Sequence, residues 1–132
     1  MEKFSFRPAT LLDEPFIHET FYEGFKDSPW RGDIRPSDLL APVLKSWWVT
    51  ICTLTDVPDQ IIGFVIWSSS NDIAWIATRP AAWRHGAMTA MLKHIGTDMT
   101  KEINAAFATP VMMNEAKKRG IRLRFRPYMV CQ

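Results

Sequence analysis

Apolar positions recur along this chain in two rhythms. The opening run KFSFRPA alternates, with Phe4 and Phe6 on one side, as a half-buried strand does. Leu12, Phe16, Ile17, Phe21 and Phe25 then recur at helical spacing and define one apolar face. Asp13 is the expected cap of that helix, ahead of Thr10, because Pro15 then falls in the first turn, where its missing N–H costs nothing. The stretch KDSPWRGDIRPSD, with two prolines and a glycine, reads as a loop. A second helix is expected through LLAPVLKS, capped by Ser37 or Asp38 and broken or bent near Pro42.

The rhythm then changes. SWWVTICTLT is rich in β-branched and aromatic residues and reads as a strand. DVPDQ is a turn, IIGFVIWSSS the returning strand, and DIAWIATR a third strand ended by Pro80. Met88, Met91, Leu92, Ile95 and Met99 follow at spacings of three and four, the buried side of a helix. INAAFATP reads as a further strand. PVMMNEAKKRG reads as a helix with Pro110 near its start and Gly120 as its stop. IRLRFRPYMV closes the chain as a strand. The order is β-α-α-β-β-β-α-β-α-β, an α/β (α+β) architecture with a mixed sheet and helices on its faces. At 132 residues it reads as one domain over 1–132.

Composition narrows the class. Nearly half the residues are hydrophobic, at 47%, which is a folding composition and not a disordered one. The net charge of +2 does not call for nucleic acid. The charge is uneven, however. Residues 117–126 carry six of the sixteen cationic side chains, and Arg122, Arg124 and Arg126 share one face of the last strand. That face is either a solvated surface or a site for a phosphate, an acidic protein partner or nucleic acid. Two cysteines far apart and three scattered histidines suggest no metal site and fit a reducing compartment. The start of the chain has no long apolar run, and IIGFVIW is too short to span a bilayer. The expectation is a cytoplasmic protein with no membrane partner.

The segment RPAAWRHGAM stands between the third strand of the middle group and the helix after it. A helix start presents unpaired N–H groups and the positive end of the macrodipole, which together attract anions. Gly86 lets the backbone come close to a phosphate, Arg84 and His85 add positive charge, and Ala87 and Thr89 are small. The spacing is neither a Walker loop nor a dinucleotide fingerprint.

In its place within the element order, this segment resembles the GNAT superfamily of N-acetyltransferases. That family has a Val-x-Pro strand end followed by Gln/Arg-x-x-Gly-x-Gly/Ala at the next helix. Here Thr78, Arg79 and Pro80 stand at the strand end, and Gly86 falls at the family's spacing. FSFRPATLLDEPFI and IIGFVIW are similar to its first strand and helix and to its central hairpin. Trp83 holds the motif's first position and Met88 its last, where the side chain points either at a pyrophosphate or into the core. Ala116 stands where the family often has a tyrosine. A small, phage-type member is one form the resemblance allows.

The resemblance implies acetyl-CoA as co-substrate and no metal. It implies a strand that parts from its neighbour at a bulge, so that the backbone of Ile76, Ala77 and Thr78 pairs with the pantetheine arm. It implies that the amides of Arg84, His85, Gly86, Ala87, Met88 and Thr89 hold the pyrophosphate. A base must deprotonate the amine, and the family's glutamate position corresponds to Asp72. Glu23 and His18 are the other candidates. The acceptor, protein or small molecule, is not readable, and residues 27–38 are expected to wall its site. A homodimer or a protein partner is left open. Two classes of function follow. One is acetyl transfer to an amine by direct attack. The other is a catalytically silent GNAT-fold protein that only binds.

Overall fold

The computed structural model describes residues 3–25, 36–79, 86–107 and 110–126. The chain runs β1 (Phe4–Pro8), a 3-10 turn (Leu11–Asp13), α1 (Glu14–Phe25), α2 (Pro36–Ser46), β2 (Trp48–Leu54), β3 (Val57–Ser69), β4 (Asp72–Thr78), α3 (Ala87–His94), β5 (Ile103–Ala105), α4 (Pro110–Lys118) and β6 (Leu123–Phe125). Six strands form one sheet in chain order, β1 to β6. The first four are antiparallel neighbours, and β4–β5 and β5–β6 are parallel. The mixed sheet and its element order are those read from the sequence.

Two apolar layers sandwich the sheet, with helices on both faces. On one face Ile17 and Phe21 of α1 and Leu40 and Val43 of α2 pack on Ile51, Phe64, Ile66 and Trp75. On the other, Met88, Met91 and Leu92 of α3 and Met112 and Ala116 of α4 pack on Cys52, Val65, Ile73 and Ile103. Burial pushes the Cys52 thiol up to about 12, so it stays protonated and behaves as a small hydrophobe.

Several expected details differ. Leu12 does not join the apolar face of α1. It sits in the 3-10 turn and is 92% exposed, as Leu11 is at 81%, because α1 begins only at Glu14. Asp13 does not cap α1. Its carboxylate accepts from the Thr10 N–H at 2.7 Å, closing the 3-10 turn from within. The second helix starts at Pro36, ahead of Ser37 and Asp38, and runs unbroken through Pro42. Pro42 is exposed. Trp48 does not pack down on the sheet but is 67% exposed. The turn before β3 is shorter than expected, since β3 begins at Val57. Among the described residues INAAFATP and the closing segment yield short strands, β5 and β6, of three residues each; residues 108–109 and 127–130 lie outside them.

Asp13 also ties the first strand to the turn. Both its oxygens accept from the Arg7 guanidinium, at 2.7 and 2.9 Å, while the carboxylate itself is buried. The Arg7 bonds, followed by those from Thr10, pull its pKa down to about 2 against the cost of burial. A carboxyl whose folded pKa lies below its unfolded value of about 3.9 stabilises fully above that value and loses its effect as pH falls towards 2. With Arg7 partly solvated, the contribution is on the order of 1–2 kcal/mol. Asp13→Asn is therefore expected to lower the urea midpoint at neutral pH and to flatten the loss of stability between about pH 5 and 2. Parallel acid limbs in the two proteins would show that the pair does not carry it.

Candidate functional site

The site is set by what happens to β4 halfway along its length. Its register with β3 pairs Ile66 with Trp75 but Trp67 with Ile73, so Ala74 is an extra residue on β4. This β-bulge switches the facing of the strand. Ile73 and Ile76 lie in the layer under α3, whereas Ala74, Trp75 and Ala77 lie in the layer under α1. Trp75 thereby lands against Phe21 and Phe107, at ring distances of 5.5 and 6.4 Å.

The parallel neighbour leaves at the same place. Register pairs join Asp72 to Asn104 and Ile73 to Ala105. Two further amides, those of Ala106 and Phe107, donate to the carbonyls of Ile73 and Ala74 at 3.0 and 2.8 Å. Among the described residues the ladder from β5 ends there. The Arg79 amide donates to the Ile62 carbonyl at 2.8 Å, so residues 75, 77 and 79 bond to β3. By the same alternation Ile76 and Thr78 aim their backbone groups away from β3, towards the side that β5 has left.

The helix after β4 begins at Gly86, whose φ of 79° is left-handed. An L-residue with a Cβ is strained there, which is why a glycine stands at this turn. The first helical bond runs from the Ala90 amide to the Gly86 carbonyl at 2.9 Å, so the amides of Ala87, Met88 and Thr89 have no acceptor within the helix. Met88 is 6% exposed and points into the core, away from the helix start. A cation missed in the sequence stands at this mouth. A Cβ on Gly86 would lie 3.8 Å from the Arg119 guanidinium, which arrives from the end of α4 and is braced by Glu115. The basic run at residues 117–126 was the available signal. Arg84 and His85 lie outside the described residues.

Asp72 opens β4. Its two oxygens accept from the Asn104 amide at 2.7 Å and from the Ser69 hydroxyl at 2.9 Å. Next to it Asn71 donates to the carbonyls of Asp98 and Glu102 and accepts from the Asp98 amide, clasping the β3–β4 turn to the loop before β5. Asp72 stands four residues before Ile76, at most about 13 Å along the strand. Glu23 is elsewhere. It lines a cleft of about 430 Å³ between α1 and the far end of β4, together with Glu19, Thr20, Gly63, Ala77 and Thr78. Arg79 closes one side of that cleft, its Nε donating to the Ile61 carbonyl at 2.7 Å and its guanidinium lying over the Phe16 ring. His18 does not line the cleft. Ala116 is fully packed in the core, so its position offers no side chain to a ligand. The face of β6 is partly neutralised: Arg124 lies 3.7 Å from Glu102, and Arg122 donates to the Thr100 carbonyl.

No family model matches the chain, and no curated protein matches it. Solved structures do. A protein assigned to the GNAT family of acetyltransferases from Desulfovibrio desulfuricans aligns at a TM-score of 0.46 and 16% identity, over 70% of this chain and 63% of that one. The ribosomal-protein-S18-alanine N-acetyltransferase from Escherichia coli aligns at 0.47 and 14%, over 89% and 62%. Ard1 from Thermoplasma volcanium aligns at 0.42 and 16%, over 71% and 62%. The chain spans about three fifths of the length of these structures. Among the described residues no group of His, Cys, Asp or Glu could hold a metal, and no helix is long and apolar enough to cross a membrane.

The geometry of β4 depends on Gly63, which stands opposite Thr78. A Cβ there would lie 2.5 Å from the Ala77 carbonyl oxygen and 3.2 Å from the Met91 methyl. The methionine can move, but the strand backbone cannot without opening the sheet. Gly63→Ala is expected to cost about 1–3 kcal/mol in chemical denaturation. An unchanged midpoint would mean that β3 and β4 part freely at this pair.

Proposed function

We propose that this chain is a GNAT-type domain that binds acetyl-CoA and transfers the acetyl group to an amine by direct attack. The observation that carries the reading is the joint exit of β5 and bulging of β4 at Ala74, directly before a glycine-started helix mouth. An amide-bearing arm can add to β4 as a strand adds to a sheet edge, bonding to backbone groups of Ile76 and Thr78, with Ala77 between them. The amides of Ala87, Met88 and Thr89, with Arg119 beside Gly86, suit the pyrophosphate. Arg84 and His85 are assigned to the same cradle from the sequence. When bound, acetyl-CoA supplies an activated thioester. The chain's part is to orient that group and to take the proton from the amine. The acceptor enters through the cleft between α1 and β4, and the domain works in the cytoplasm.

Two substitutions of equal size separate the cradle from simple strain. Asparagine and aspartate both tolerate the left-handed conformation better than other side chains. Gly86→Asn and Gly86→Asp should therefore unfold alike. Only the aspartate sets a negative charge beside Arg119 and the phosphates. Calorimetry is expected to show CoA affinity at least tenfold weaker in Gly86→Asp than in Gly86→Asn. Equal affinities in the two variants would remove the cradle.

We assign the proton transfer to Asp72, held in place by Ser69 and Asn104 and acting through bound water. Asp72→Asn should lower turnover by about a hundredfold or more while leaving CoA affinity unchanged. The deficit should shrink as pH rises towards the amine's own pKa, where the free amine needs no base. Glu23 lines the acceptor cleft itself, so Glu23→Gln is the competing variant. If that change costs more turnover than Asp72→Asn, the base is on α1. A protein that binds CoA yet acetylates no amine is the silent binding module, with Ala116 in the tyrosine's place as the simplest reason.

A further inference from the structure

A second cavity lies away from the parting of β4 and β5, between the edge strand β1 and the C-terminal half of α3. It holds about 380 Å³ and is lined by Lys3, Phe4, Phe6, Ala90, Lys93 and His94. Its floor is aromatic. The Phe6 and His94 rings are stacked with centroids 4.2 Å apart and planes 16° from parallel. His94 is exposed, so the stack is a platform open to solvent. Its rim is cationic. Lys3 and Lys93 are exposed and have no carboxylate partner among the described residues, whereas Arg7, Lys101, Lys118, Arg119 and Arg124 each lie against one. Lys3 instead rests over the Phe4 ring, 5.7 Å from its centroid.

A flat aromatic platform and two exposed ammonium groups ask for a ligand with both a ring and a negative charge. Rings stack on such platforms whatever their hydrogen-bonding edge. Lysine binds phosphate as a point charge, needing no fixed fork geometry. The cavity is within the size range of small-molecule sites and suits one nucleotide. We propose that the β1–α3 groove binds a nucleoside monophosphate, with the base on the Phe6–His94 stack and the phosphate between Lys3 and Lys93. The cavity shares no lining residue with the candidate acetyl-transfer site, and the proposal does not depend on that reading.

The test uses the whole chain titrated with AMP, adenosine and inorganic phosphate by calorimetry, with amide shifts mapping the contact. AMP should bind, shifting residues of β1 and α3, and adenosine and phosphate should each bind at least tenfold more weakly. Lys3→Glu and Lys93→Glu should each weaken AMP about tenfold. Phe6→Leu should remove the advantage of AMP over phosphate. Because Phe6 is partly buried, His94→Leu, on an exposed residue, gives the same readout without disturbing the core. Gly86→Asp should leave AMP binding intact, separating this groove from the helix mouth. Phosphate binding as tightly as AMP would overturn the stack, and AMP affinity unchanged in both lysine variants would overturn the groove.

Discussion

A strand in the middle of a sheet must find partners for the backbone groups on both of its edges, and among the described residues β4 keeps its β5 partner only as far as Ala74. Much of the molecule's arrangement follows from that one shortfall. Asp72 and Ile73 are paired on both sides, with β3 and with β5, and Asn71 locks the turn before them. Among the described strands, Trp75 to Thr78 pair in register with β3. The bulge makes this possible without unpacking either face, because one extra residue flips the strand's facing and returns Trp75 to the layer under α1. Trp75 keeps a cost from the exchange. Its indole N–H is buried and has no partner, so packing against Phe21 and Phe107 decides its position.

Gly63 and Gly86 both serve the C-terminal end of that strand. At Gly63 the absent Cβ lets β3 stay close to the half of β4 that has lost β5, and lets Met91 of α3 press on the pair. At Gly86 the left-handed turn lets α3 begin and fold back onto the sheet. The same helix then buries Met88, Met91 and Leu92. A residue at the helix mouth is thus both a possible ligand contact through its amide and a core residue through its side chain, which is how Met88 occupies a position where smaller residues would be expected.

The sequence carried the fold well because its periodicities are long. Thirteen residues of β3 and the Met-rich face of α3 leave little choice of element, and their order leaves little choice of sheet. The failures fall where local rules compete. Leu12 fits the helical spacing of Phe16 and Ile17, but Thr10 and Asp13 bond to each other and set a 3-10 turn first. INAAF is apolar apart from Asn104, yet among the described residues only Ile103–Ala105 are strand, because how far β5 runs depends on where β4 bulges. Within the candidate site, Gly86 and the strand before it were legible from motif and order. Arg119 was not, since its approach to Gly86 depends on the packing of α4, which no local pattern encodes.

Helix α3 joins the two regions that the structure sets apart. Its amide end starts at Gly86 beside Arg119, and its carbonyl end carries Lys93 and His94 into the groove beside β1. The helix macrodipole accounts for part of this. Cations at a C-terminus and anions at an N-terminus are both favoured, each by roughly 0.3–1 kcal/mol at an exposed end. It does not account for the flat packing of the imidazole on Phe6, nor for Lys3, which comes from the residue before β1. The dipole explains why those charges are tolerated where they stand. The aromatic floor beneath them makes the place a shaped surface, so the groove is better understood as a site than as a helix end dressed with lysine.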